Sequence, residues 1–213
     1  RGLEMTTAYT FQKELVLGSG GNPGLGGPAV NNVFDRQAQK SLAASSQPHI
    51  LAIGFTYVTP RFGPHRIVRQ ALGNWTIGGL VRYASGGLIG APASNNNLAS
   101  LLGQGVNTRM NRVAGEPLFL KDPNCGCLDP RQNLVLNPAA RADAAPGQFG
   151  NTSGFYNDYR WQHQAQENLN FGRRFPIKEK VSFEIRAEFF NIFNRLNLPS
   201  PAARKPNPAV TQN

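Results

Sequence analysis

The chain has 213 residues, room for one large or two small domains, with 23 glycines, 16 prolines and only 16% charged residues. Its mean hydropathy is −0.36; the profile suits β structure with long loops better than a helical bundle, and no stretch approaches the roughly 18 apolar residues of a transmembrane helix. The formal net charge of +10 invites a nucleic-acid reading, but the basic residues stand singly, with no run beyond Arg173-Arg174 and no accompanying aromatic-plus-basic motif. The charge reads as a diffuse surface property, and no nucleic-acid partner is expected.

Strands are expected near 5–15, 49–59, 74–86, 160–173 and 179–193. In the first, Thr7, Tyr9 and Phe11 share a face opposite Ala8, Thr10, Gln12 and Glu14. Residues 16–48 form a long loop, because glycine and proline at the density of Gly18 to Pro28 prevent regular pairing. Those glycines lack the spacing of a dinucleotide fingerprint, and no Gly-Lys-Ser/Thr follows them. The second strand sets Leu51, Ile53, Phe55 and Tyr57 against Ala52, Gly54 and Thr56, and Pro60 ends it. A basic connection over 61–69 leads to the third strand, whose apolar face carries Trp75, Ile77, Gly79, Val81 and Tyr83. Its other face carries Thr76, Gly78, Leu80 and Arg82.

Residues 87–159 show no sustained alternation and read as a second long loop, punctuated by Asp122-Pro, Asp129-Pro and Asn137-Pro. The fourth strand places Gln162, Gln164, Gln166, Asn168 and Asn170 opposite Trp161, Ala165, Leu169 and Phe171, with His163 and Glu167 interrupting the apolar face. Arg173 to Glu179 reads as a short turn. The last strand is the clearest: Val181, Phe183, Ile185, Ala187 and Phe189 alternate with Ser182, Glu184, Arg186 and Glu188. Like faces must pair, so a turn centred near Ile177 sets Phe171 opposite Phe183, Leu169 opposite Ile185 and Asn168 opposite Arg186.

Long and shorter connections therefore alternate along an antiparallel meander, as in a transmembrane β-barrel. A soluble antiparallel sheet alternates in the same way, but the third strand has an aromatic residue at each end of its apolar face. Trp75 and Tyr83 stand about 26 Å apart on an extended chain, close to the height of a barrel's apolar band. The fold class is thus all-β, an antiparallel meander forming part of a transmembrane β-barrel wall with two long loops. Residues 1–198 form the partial barrel, and 199–213 a loop or disordered tail at a truncated end. Lipid-facing candidates are Phe55, Tyr57, Trp75, Ile77, Val81, Tyr83, Leu169, Phe171, Phe183 and Ile185; lumen-facing candidates are Arg82, Gln166, Asn168, Glu184, Arg186 and Glu188. Glu167 belongs near a rim.

The chain carries little that suggests catalysis. His49, His65 and His163 lie far apart without metal-ligand spacing, and there is no Gly-x-Ser-x-Gly elbow or His-Glu-x-x-His helix. Glu184 and Glu188 flank Arg186 on one strand face, which suits a salt-bridged polar surface better than an acid/base pair. No catalytic residue, metal or cofactor is expected. Cys125-Gly-Cys127 lies in the longest loop and is compatible with a disulfide, free thiols or a metal ligand pair; an oxidising compartment favours the disulfide.

Several stretches together resemble the C-terminal barrel segment of TonB-dependent outer-membrane receptors, of the Oar-like type that carries a carboxypeptidase-regulatory-like domain. They are Asn32-Val-Phe-Asp35 at the end of a strand, His49-Ile-Leu-Ala-Ile-Gly-Phe-Thr-Tyr57, Leu72-Gly-Asn-Trp-Thr-Ile-Gly-Gly79 and Tyr83-Ala-Ser-Gly86. Asn111-Arg-Val-Ala-Gly115, Phe149-Gly-Asn151 and the closing Phe183-Glu-Ile-Arg-Ala-Glu-Phe-Phe-Asn-Ile-Phe-Asn194 follow. The resemblance implies a bacterial outer-membrane receptor that imports a scarce substrate through a plugged barrel. It also implies three partners: membrane lipid, the protein's own plug domain and the TonB energy-coupling complex. The chain shows no plug, coupling box or closing aromatic strand, so it reads as a fragment supplying about five strands. The competing reading is a soluble or secreted β-sheet binding module, glycan-binding for example, whose apolar face a second layer would cover.

Overall fold

The computed structural model describes residues 2–17, 31, 32, 34, 35, 37–60, 65, 72–96, 98, 108–129, 134–179 and 181–201. Its strands are β1 (Leu3–Phe11), β2 (Leu15–Val16), β3 (Ser41–Leu42), β4 (His49–Val58), β5 (Trp75–Ala84), β6 (Leu88–Gly90), β7 (Asn111–Arg112), β8 (Arg141–Ala142), β9 (Phe155–Arg160), β10 (Gln164–Lys178) and β11 (Val181–Phe189). The chain divides into two compact units. The first comprises Arg1–Phe11, His49–Ala84 and Gln164–Asn197, and the second Gln12–Pro48, Ser85–His163 and Leu198–Asn213.

The first unit is a five-stranded sheet in the order β1-β4-β5-β10-β11, antiparallel at every step. Its strands follow one another in space as they do along the chain, which is the all-β antiparallel meander expected from the alternation. Register keeps every odd-numbered residue on one face: Met5 lies opposite Phe55, Phe55 opposite Gly79, Gly79 opposite Leu169 and Leu169 opposite Phe189. Gly79 makes this packing possible. A Cβ there would lie 2.5 Å from the Phe55 ring and 2.7 Å from Leu169, so the missing side chain lets both neighbours close over β5. On the opposite face, Gly78 leaves room for the Asn170 amide, 2.8 Å from where a Cβ would stand.

The last hairpin departs from expectation. Arg173 to Lys178 is not a turn; it continues β10, pairing Arg173 with Ile185, Arg174 with Glu184 and Phe175 with Phe183. Phe171 therefore faces Ala187, Leu169 faces Phe189, and Arg186 faces Gly172 rather than Asn168. The offset from the expected register is even, so each residue keeps its face. The expected turn contains Pro176, but the ladder shifts register between Pro176 and Lys178, and such a bulge is where a strand tolerates proline. The strand's beginning also moves: β10 starts at Gln164, while Trp161 and His163 fall in the second unit. One of the two interruptions of the apolar face thereby disappears, and Glu167 remains.

The second unit replaces what looked like structureless loops. It contains the ladders β2-β3, β6-β9 and β7-β8 and a core of Ile89, Ala91, Leu118, Val135, Leu136, Ala140, Tyr156 and Trp161. Leu15 and Val16, at and just beyond the expected end of the first strand, pair instead with Leu42 and Ser41. No strand ends at Asn32 to Asp35 among the described residues. Buried polar side chains tie these short elements together. The Asn31 amide donates to the Gly150 carbonyl at 2.8 Å and accepts from the Arg109 N–H at 3.0 Å. Arg160 Nη1 donates to the Ser46 carbonyl at 2.6 Å, and the Trp161 indole to the Leu198 carbonyl at 2.9 Å. Cys125 and Cys127 form a disulfide. The glycine-rich stretch 18–28, the connection around 61–64 and 66–71, and residues 202–213 of the expected tail lie outside the described residues.

Candidate functional site

The functional feature of the first unit is the contrast between its faces. Alternation in the sequence sends Phe55, Tyr57, Trp75, Ile77, Val81, Tyr83, Leu169, Phe171, Phe183 and Ile185 to one side, where the register aligns them across strands. None of them is buried; Phe183 is 54% exposed, Ile185 49% and Tyr83 38%. β1 extends the same surface with Leu3, Met5, Tyr9 and Phe11, each more than half exposed. Leu3 and Met5 fit the same odd-numbered pattern but lie at or before the expected start of the strand. A soluble sheet hides such a surface beneath a second layer, since uncovered apolar patches above a few hundred Å² are rare on soluble monomers.

Aromatic residues mark both ends of this face. At one end the Tyr9 hydroxyl bonds to His49 Nδ1 at 2.8 Å, and the Phe11 and His49 rings stand 5.2 Å apart. Here the chain leaves β1 and β5 into its long connections. At the other end the Phe175 and Phe183 rings stand 6.3 Å apart, tilted to each other, and the Arg173 guanidinium lies 5.5 Å from the Trp75 ring and 4.7 Å from that of Phe175. Arg173, expected in a turn, is thus a cation sheathed by aromatic rings. Phe55, Phe171 and Phe189 add further rings between these ends, with Phe171 5.9 Å from Phe189. An apolar face with aromatics at both ends suits the outer surface of a transmembrane barrel.

The opposite face is polar. Arg82, Gln166, Asn168, Glu184, Arg186 and Glu188 all project there, as the even-numbered register requires. Arg186 pairs with Glu188 along β11, and Arg174 with Glu184 across to β10 at 3.6 Å. A hollow of about 440 Å³ opens on this side, lined by Glu4, Thr6, Arg186 and Glu188 and by the apolar Leu80 and Phe190 among others. No group of His, Cys, Asp and Glu side chains that could hold a metal occurs among the described residues.

Glu167 sits on the apolar face at 2% exposure. It lies near the end of the sheet, on β10 past the point where β11 stops pairing. Its partner was not expected from the sequence: Arg195 Nε donates to both carboxylate oxygens, at 2.8 and 3.1 Å. The chain reaches that position through two asparagines in the left-handed region, Asn191 at φ 50° and Asn194 at φ 49°. Asparagine tolerates this conformation better than other residues with a side chain. Asn191 Oδ1 accepts the Arg195 N–H at 2.8 Å, and Ile192 N–H donates to the Glu167 carbonyl at 3.0 Å. The available signal was a pair of asparagines just past a strand's end, followed by a cation.

An antiparallel sheet with an exposed apolar face, aromatics at both of its ends, and charged and polar side chains on the other face fits a wall of a membrane-spanning β-barrel. The chain belongs to the outer membrane beta barrel domain family, whose model matches residues 1–212. It is an outer-membrane protein, and the soluble-module reading is set aside. Neither the curated proteins nor the solved structures contain a match to it.

Proposed function

We propose that the chain forms part of the barrel of a TonB-dependent receptor, of the Oar-like type, that imports a scarce substrate through a plugged pore. The closing stretch Phe183 to Asn194 carries this reading, since it combines the strand pattern of such barrels with the asparagine turn that completes their wall here. The apolar candidates face lipid. Arg82, Gln166, Asn168, Glu184, Arg186 and Glu188 face the lumen, where the hollow would receive the plug domain or passing substrate. β1 and β11 each pair on one side only within the sheet. Hydrocarbon tolerates no open sheet edge, and the smallest outer-membrane barrels use about eight strands. Further strands therefore flank both edges in the membrane.

The reading is tested on the protein in its native membrane and in liposomes. A plugged receptor leaves liposomes impermeable to small sugars and cross-links to the periplasmic domain of the energy-coupling protein. Rapid passive swelling without cross-linking would identify an open, porin-like barrel instead and overturn the proposal.

A further inference from the structure

The second unit contains a cationic cluster that its own carboxylates do not balance. β7 and β8 set Arg112 directly opposite Arg141, so two like charges project from the same side of a short ladder, an arrangement that is destabilising by itself. Arg112 is partly satisfied: Nη1 donates to the Val113 and Ala140 carbonyls at 2.6 and 3.2 Å, and its guanidinium lies 5.7 Å from the Tyr159 ring. Its carboxylate partner is Asp158, 3.4 Å from Nη2, with a side chain 52% exposed. Arg141 is only 7% exposed. Its Nε and Nη1 are buried without an acceptor among the described residues, as is Arg112 Nε.

The hydroxyl of Tyr156 completes the cluster. Burial pushes its pKa up, Arg141 and then Arg112 pull it back down, and Asp158 pushes it up again, so the hydroxyl shares the electrostatic surroundings of this cluster. A neutral hydroxyl does not cancel their charge. Arg160 makes a useful contrast, because its Nη1 spends its hydrogen bonds on the Ser46 and Gly86 carbonyls, at 2.6 and 3.2 Å, and acts as a structural latch. Two cations face one half-exposed carboxylate at Arg112 and Arg141, with donors left over. Buried charge in such excess is costly unless a counter-charge arrives.

We propose that Arg112 and Arg141, with the Tyr156 hydroxyl, form a binding site for a phosphate-class oxyanion that enters from the solvent-exposed Asp158 side. Guanidinium groups match the oxygens of such anions in charge and geometry. A tetrahedral oxyanion beside the two guanidinium groups supplies the missing negative charge and cancels the repulsion across the ladder. Asp158 is a competitor for the same Arg112, not a component of the anion's cradle. The inference rests on the second unit alone and does not depend on the transport reading.

Equilibrium dialysis of radiolabelled inorganic phosphate against the full-length protein tests it. Saturable binding displaced by sulfate but not by acetate is expected, with loss in R112Q and in R141Q and no change in R174Q on the sheet. D158N should bind up to roughly fivefold more tightly, since it removes the competing ion pair. A purely structural role for the arginines predicts no such gain. Failure of the wild-type protein to bind, retention of binding by folded R112Q and R141Q, or no gain in D158N would each overturn the proposal. If R141Q does not fold, the wild-type and D158N measurements decide.

Discussion

Replacing Arg195 by methionine isolates the buried carboxylate of Glu167. The Glu167 side chain is 2% exposed, whereas that of Arg195 is 43% exposed. Breaking a fully buried pair from one side costs about 3–5 kcal/mol, and an exposed pair is worth about 0–1 kcal/mol. The mixed burial here places Arg195→Met near 2 kcal/mol. Glu167→Gln should cost less, about 1 kcal/mol, because the freed guanidinium can turn to water while the neutral amide stays in place. The double variant should lie within about 1 kcal/mol of the wild type, giving a coupling clearly above the roughly 0.5 kcal/mol of independent sites. Urea unfolding of the intact protein in lipid vesicles measures all four corners of this cycle. A Glu167→Gln cost equal to or greater than that of Arg195→Met, or coupling below about 0.5 kcal/mol, would refute the claim that the carboxylate is the member that cannot reach solvent.

The same assay tests the assignment of faces. If the apolar face meets lipid as proposed, Ile77→Arg should cost about 2 kcal/mol, whereas Thr76→Arg, one residue away on the polar face, should stay within about 0.5 kcal/mol; equal costs would remove the distinction between the faces. Gly79→Val should cost about 1–3 kcal/mol by overpacking against Phe55 and Leu169, while Gly54→Ala, where a Cβ meets nothing within 4 Å, should be nearly neutral. A tolerated Gly79→Val would show that the two side chains do not close over β5.

The sheet was legible because period-two alternation survives over nine or more residues in β4, β5 and β11. Even a mistaken turn kept every side chain on its proper face, since the error in register was even. What the pattern could not show was the far end of β10, where Pro176 mimics a terminator but sits at a bulge. The second unit was invisible for a different reason. Several of its strands are two residues long, too short to display a period. Its core draws Ile89, Leu118, Tyr156 and Trp161 from distant points, and its order depends on side chains such as Asn31 and Arg160 reaching backbone carbonyls. Nothing local in the sequence announces those bonds.

The stretch that carries the resemblance also has a physical reason in this chain. β11 stops at Phe189, opposite Leu169, while β10 begins five residues earlier at Gln164, so the start of β10 pairs with β5 on one side but has no ladder partner on the β11 side. Glu167 stands within that unfinished end, with a carboxylate on the apolar face and a backbone carbonyl to satisfy. A continued strand would satisfy the carbonyl but supply no cation to the carboxylate. The observed turn does both. Asn191 binds the Asn168 side chain through its backbone N–H at 3.1 Å, and Ile192 takes the Glu167 carbonyl. The left-handed backbone at Asn191 and Asn194 then brings Arg195 back to the carboxylate. Glycine at the two asparagine positions would allow the same φ values but would lose the side-chain bonds from Asn191 to the Arg195 backbone, at 2.8 and 3.0 Å. Asparagine spacing and the following arginine therefore finish this sheet where β11 ends before β10 and a charge remains on the apolar face.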